Sequence, residues 1–136
     1  MTDAEGVPLV VKTTRANVND CTMAIELLDA IPAIPGMGPG RPRFRPTAYL
    51  GDHIYGTKAN LAATRARGIH PLLGKPRGPH GSGLGKLRYV VERTLSWFGN
   101  FRRLKICYER EGEHFQALHD LAAALICERK VRMLHG

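Results

Sequence analysis

No apolar run in this sequence approaches the roughly 20 residues that a membrane-spanning helix requires, which excludes a helical integral membrane protein. The N-terminus, Met1-Thr2-Asp3-Ala4-Glu5-Gly6, has no basic segment leading into an apolar stretch, so no secretory signal is read there. Cysteine is scarce and odd in number. Cys21, Cys107 and Cys127 lie far apart, with neither a disulfide framework nor metal-ligand spacing, which suits three small core residues in a reducing cytoplasm. Gly81-Ser82-Gly83 lacks the Lys-Ser/Thr of a phosphate-binding loop, so nucleotide binding of that kind is rejected. No internal repeat is visible. Acids are also sparse where bases gather: between Arg65 and Arg110 only Glu92 and Glu109 are acidic.

What is present begins with that charge. The chain has 136 residues, enough for one domain with a core, and 43% of them are hydrophobic, which excludes disorder by composition. Twenty Lys+Arg against twelve Asp+Glu give a net charge of +8. Much of the excess lies in one block: Arg65, Arg67, Lys75, Arg77, Lys86, Arg88, Arg93, Arg102, Arg103, Lys105 and Arg110. Such a block repels itself unless a polyanion is near, and nucleic acid is the usual one. By itself the charge fits a non-catalytic basic module for DNA or RNA as well as it fits an enzyme acting on nucleic acid.

Periodicity predicts a strand at 7–14, because Val7-Pro8-Leu9-Val10-Val11 is apolar and β-branched, with Asp3-Ala4-Glu5-Gly6 before it as a hairpin turn. Only Met1 and Thr2 stand before that turn, so the preceding strand is expected to be missing. Asp20 is placed to cap a helix from about Cys21 to Ile31, with Met23, Leu27, Leu28 and Ile31 on its apolar side. Residues 32–46 hold five prolines, three glycines and Arg41, Arg43 and Arg45, and predict an irregular loop, either DNA-facing or a plain connector. A short strand at Ala48–Asp52, a helix at Thr57–Arg67 closed by Gly68, and a strand at Ile69–Leu73 form the pattern of a parallel βαβ unit. Residues 76–85 are Gly/Pro-rich. A helix is expected from Lys86 to Phe98 with Leu87, Val91, Leu95 and Phe98 as its core stripe, and a last helix from His114 to Met133, packed through Leu118, Leu121, Leu125 and Val131.

Two carboxylates stand apart. Asp52 ends a strand, where ligands meet open α/β sheets. Glu92 lies mid-helix with Arg88 and Ser96 four residues away on either side, on a face distinct from the expected core stripe. Each also has an ordinary reading: Asp52 as a cap, and Arg88–Glu92 as a surface ion pair of small value.

The local sequence adds a family. Tyr89-Val90-Val91-Glu92-Arg93-Thr94-Leu95-Ser96-Trp97-Phe98, followed by Phe101-Arg102-Arg103-Leu104, resembles the third-carboxylate helix of DDE transposases from bacterial insertion sequences. His80-Gly81-Ser82-Gly83-Leu84-Gly85, Asp52-His53-Ile54-Tyr55-Gly56, Ala16-Asn17-Val18-Asn19-Asp20 and Leu121-Ala122-Ala123-Ala124-Leu125-Ile126-Cys127 resemble the same family in collinear order. The resemblance implies an α/β, ribonuclease-H-like fold, here truncated: a short mixed sheet flanked by helices, with residues 1–136 the C-terminal part of the catalytic domain. It implies Asp52 as second and Glu92 as third carboxylate of a two-Mg²⁺ centre that cuts and joins DNA phosphodiesters. By the same carry-over Arg88 contacts phosphate or fixes Glu92, and Lys86, Arg93, Arg102 and Arg103 serve the DNA backbone.

The departures are as specific. Gly85 and Gly99 stand where the wider family often has a tyrosine and a basic residue. The first aspartate belongs on a strand upstream of Asp3, and Asp3 itself occupies a turn position. The expectation is therefore a cytoplasmic transposase fragment, with no membrane partner, that binds DNA and is inactive alone, its first carboxylate supplied by an upstream chain or its assembly completed by a second copy. Side candidates are weaker. His53 adjoins Asp52, Trp97 and Phe101 are core or base-stacking residues, and His114 and His119 are five apart, which does not put them on one helical face for zinc.

Overall fold

The structure is a computed structural model that describes residues 1–36, 38–73 and 85–135, the side chains of 85–88 and 135 excepted. The Gly/Pro-rich stretch at 76–84 and the Gly81-Ser82-Gly83 segment lie outside the described residues. The chain forms two compact units, residues 17–85 and residues 1–16 with 86–136.

In the unit of residues 17–85, a 3-10 turn at Asp20–Met23 leads into α1 (Ala24–Asp29). The cap differs from expectation. Asn19, not Asp20, is the N-cap, its side chain accepting the Cys21 N–H at 3.1 Å. Both residue types cap well, and position decides: Asn19 has the extended backbone a cap needs, while Asp20 is already inside the turn. The described residues of 32–46 are irregular as expected, with an antiparallel bridge between Ile34 and Arg43. Arg45 Nη1 donates to the Arg67 carbonyl at 3.2 Å, closing over the C-terminal end of the next helix.

The βαβ unit is present. β1 (Ala48–Gly51) and β2 (His70–Leu73) run parallel, Ala48 opposite His70 and Gly51 opposite Leu73, with α2 (Lys58–Ala66) between them in sequence. Among the described residues this two-stranded parallel pair is the whole sheet, where a mixed one was expected. Thr57 caps α2 by accepting the Asn60 N–H, and Gly68, at φ +72°, supplies the left-handed residue that ends it. Ala24, Leu28, Ile31, Tyr49 and Ile69 form the core, and burying a side chain such as Leu28 contributes about 1.5–3 kcal/mol. Thr64 is fully buried and satisfied, its hydroxyl donating to the Asn60 carbonyl one turn back.

The other unit opens on the expected turn. Asp3 Oδ1 accepts from the Glu5 and Val7 amides at 2.9 and 2.8 Å, the Asp3 N–H donates to the Val7 carbonyl, and Gly6 takes φ +85°. The strand expected at 7–14 does not form: Pro8 makes an isolated bridge to Thr2, and Leu9 lies in a bend. Farther along, a side chain stands in for a neighbouring strand. Gln116 accepts from the Thr13 N–H at 2.7 Å and donates to the Val11 carbonyl at 2.9 Å.

Gln116 belongs to α5 (Gly112–His135), which follows α3 (Gly85–Gly99) and a short α4 (Arg102–Lys105) that periodicity did not predict. The faces of α3 and α5 are rotated from expectation. On α3 Thr94 is buried, Val90, Trp97 and Phe98 are half-buried, and Val91 and Leu95 are exposed. On α5 Ala122 and Ile126 are buried, while Leu121, Leu125 and Val131 are exposed. Of the cysteines, Cys21 and Cys127 are half-buried, but Cys107 is exposed rather than a core residue. No helix among the described residues is long and apolar enough to cross a membrane.

Candidate active site

Asp52 is placed by three neighbours. Gly51 permits the approach, since a Cβ there would lie 2.6 Å from the Leu73 side chain on the partner strand. The chain then turns into the 3-10 segment His53–Tyr55, which Asp52 caps: its Oδ1 accepts the His53 N–H at 2.7 Å. The His53 Nδ1 lies 2.8 Å from the same oxygen, so His53 is a neighbour that orients the carboxylate. Asp52 stays about one-third exposed, and a cap this short leaves the carboxyl at the strand end and reachable.

Asn60 ties this turn down. It is buried, and its Nδ2 donates to the carbonyls of Cys21 and Tyr55 at 2.9 and 3.1 Å. The Tyr55 phenol is pushed up by burial first and then by the nearby charges of Asp20, Cys21 and Asp52. Behind them burial drives the Tyr49 phenol up to about 12, so this end of the strand is a low-dielectric wall.

Glu92 is exposed on α3, in the unit built from residues 1–16 and 86–136. The residue after it, Arg93, is committed inward: Nη2 donates to the Glu5 carbonyl at 2.7 Å, and the guanidinium lies 5.3 Å from the centre of the Trp97 ring and 5.8 Å from that of Tyr89. Lys130 Nζ sits 4.8 Å from the centre of the same indole. Trp97 is therefore half-buried against two cations. Arg102 and Arg103 are both exposed, and Arg103 pairs with Glu109 at 2.5 Å. Lys86 and Arg88 belong to the helical backbone of α3, and their side chains lie outside the described residues. His114 stands 3.8 Å from Glu111, and His119 packs against Phe98 and Phe115.

Asp52 in one unit and Glu92 in the other each offer the carboxylate oxygens that a hard divalent cation takes. The number falls short of a full set. Among the described residues no group of three His, Cys, Asp or Glu is gathered that could hold a metal.

With these positions in view, comparison with known proteins decides the family. Residues 1–127 match the family model described as the transposase DDE domain. This chain belongs to the DDE transposase family. It is 46% identical over 132 residues, 97% of the chain, to a Burkholderia cepacia protein described as "Putative transposase for insertion sequence element IS402". The chain spans 62% of that relative's length. No solved structure matches it. The family and this relative make it a transposase of the insertion-sequence type.

Proposed function

We propose that this transposase chain contributes part of a ribonuclease-H-like catalytic domain that cuts and joins DNA phosphodiesters, with Asp52 and Glu92 as two of its metal-holding carboxylates. The observation that carries the reading is Asp52 itself. It follows the first strand of a parallel βαβ unit, caps the turn after it, lies 2.8 Å from His53 Nδ1 and stays about one-third exposed, in a chain of the DDE family. The group that the family implies is a pair of Mg²⁺ ions, which when bound activate the attacking oxygen and stabilise the leaving one. Asp52 and Glu92 would hold them. His53 would orient the Asp52 carboxylate through its 2.8 Å contact, and Tyr49 on the strand and Asn60 on α2 are buried.

DNA is the partner the basic block fits. Arg102, exposed at the start of α4, serves the phosphate backbone together with the neighbouring Lys105 and Arg110, while Arg93 and Arg103 have internal partners and serve it less. Lys86 and Arg88 stay with the same assignment by their place one to two turns before Glu92.

Two carboxylates leave metal ions under-ligated, so the chain alone should bind DNA without cutting it. Fluorescence anisotropy with a labelled duplex should show an affinity that falls steeply with salt, and Mg²⁺-dependent plasmid nicking should be absent. Failure to bind duplex DNA would refute the reading. Robust nicking lost in Asp52→Ala would overturn the inactivity of the isolated chain while upholding Asp52.

A further inference from the structure

We infer that Gly6, Arg93 and Thr94 form a clamp that sets the rotation of α3 and so the direction in which Glu92 points; the inference rests on the reading of Glu92 above. Three observations within one unit support it. Thr94 is only 2% exposed, and its hydroxyl lies 2.7 Å from the Gly6 carbonyl, which accepts from it across 88 residues of sequence. Arg93 Nη2 donates to the adjacent Glu5 carbonyl at 2.7 Å. Gly6 itself has φ +85°, and a Cβ there would stand 2.8 Å from Thr94 Oγ1, 3.2 Å from Val90 Cγ1 and 3.3 Å from Arg93 Nη2.

The turn that supplies both carbonyls is itself held by Asp3, whose Oδ1 accepts two of its amides. Arg93 is held in turn by the Trp97 ring, which Lys130 of α5 also approaches. Consecutive helical residues turn by about 100°, so Thr94 lies about 200° from Glu92. Fixing Thr94 against the turn therefore sends Glu92 to the far side of the helix, and Arg93 between them removes the remaining freedom. The same clamp accounts for the exposure of Val91 and Leu95: two hydrogen bonds to a rigid turn, one from a buried hydroxyl, choose the inward face, and the aliphatic stripe follows. Arg93 and Thr94 are positioning residues that act through Glu92.

Hydrogen exchange reads the clamp and Mn²⁺ reads its effect. Thr94→Val and Gly6→Ala should speed amide exchange of residues 90–95 about tenfold relative to residues 122–126, and Thr94→Ser should restore it. In the wild-type chain Mn²⁺ alone should broaden the NMR resonances around Glu92, and Glu92→Gln should abolish the effect. Thr94→Val should raise the Mn²⁺ concentration for half-broadening severalfold at a temperature where circular dichroism shows it folded, and Thr94→Ser should return it to the wild-type value. Broadening lost in Glu92→Gln but untouched by Thr94→Val and Gly6→Ala would overturn the clamp and leave the Glu92 assignment standing. Absence of broadening, or broadening that Glu92→Gln leaves intact, would sink the Glu92 assignment itself, whatever the exchange rates show.

Discussion

Replacing Gln116 with leucine should free the extended N-terminal segment while changing little of the volume it packs against. The Gln116 amide takes the place of a neighbouring strand. Its oxygen accepts from the Thr13 N–H at 2.7 Å and the Thr13 hydroxyl at 2.9 Å, and its nitrogen donates to the Val11 carbonyl and to Asp120 Oδ1, both at 2.9 Å. Asp120 is exposed and water replaces the amide there at small cost. The three bonds to Val11 and Thr13 are part-buried, and at about 0.5–1.5 kcal/mol net for each the loss comes to about 1.5–4.5 kcal/mol. Partial rehydration of an edge segment places the expectation near the lower end. Urea unfolding followed by Trp97 fluorescence measures the total, because Trp97 is the sole tryptophan and lies in the same unit. Amide exchange at Thr13 locates it. Gln116→Glu keeps an acceptor for Thr13 and loses the donor to Val11, so Thr13 should stay protected in the glutamate variant and lose protection in the leucine variant. If Thr13 exchanges as slowly in Gln116→Leu as in the wild type, the strand-substitute role is wrong.

Two further outcomes concern the other unit. Arg67 grips Asp29 with Nε and Nη2 at 2.7 and 2.6 Å and holds that carboxyl below its ordinary range. A depressed folded-state value means stability that is complete above the ordinary carboxylate pKa and lost as pH falls through the folded one. The urea midpoint should thus drop between about pH 5 and pH 2, less so in Asp29→Asn, and equal slopes in the two proteins would contradict it. Leu28→Ala opens a hole at a side chain 2% exposed and should cost about 2–5 kcal/mol by thermal unfolding, a loss under about 1 kcal/mol showing that the core collapses around it.

Much of the local plan was legible in the residues. The Asp3–Gly6 turn, the βαβ unit, the closure of α2 at Gly68 and the Glu92 motif each depend on signals within a few residues: a carboxylate reaching its own backbone, a β-branched run, a glycine where φ must be positive. Asp52 at a strand end was legible for the same reason. The wrong face of α3 shows where such signals stop. Apolar spacing favoured Val91 and Leu95 as the core stripe, but Thr94 takes the buried place, its hydroxyl 2.7 Å from the Gly6 carbonyl and 3.1 Å from the Val90 carbonyl one turn back.

The sequence by itself determined the Asp3–Gly6 turn and the βαβ pattern, the basic character of the chain from Arg65 to Arg110, and the transposase family that its motifs mark. These depend on backbone preference, on charge and on ordered residue identity, none of which needs a distant partner. Only the tertiary structure decided that Arg93 is held by the Glu5 carbonyl, that Gln116 bonds Thr13, 103 residues away, and that Thr94 rather than Val91 or Leu95 is buried on α3. Those outcomes turn on pairs of polar groups far apart in sequence. A hydrogen bond between them exists only once folding has brought donor and acceptor to within about 3 Å, and no local pattern records that meeting.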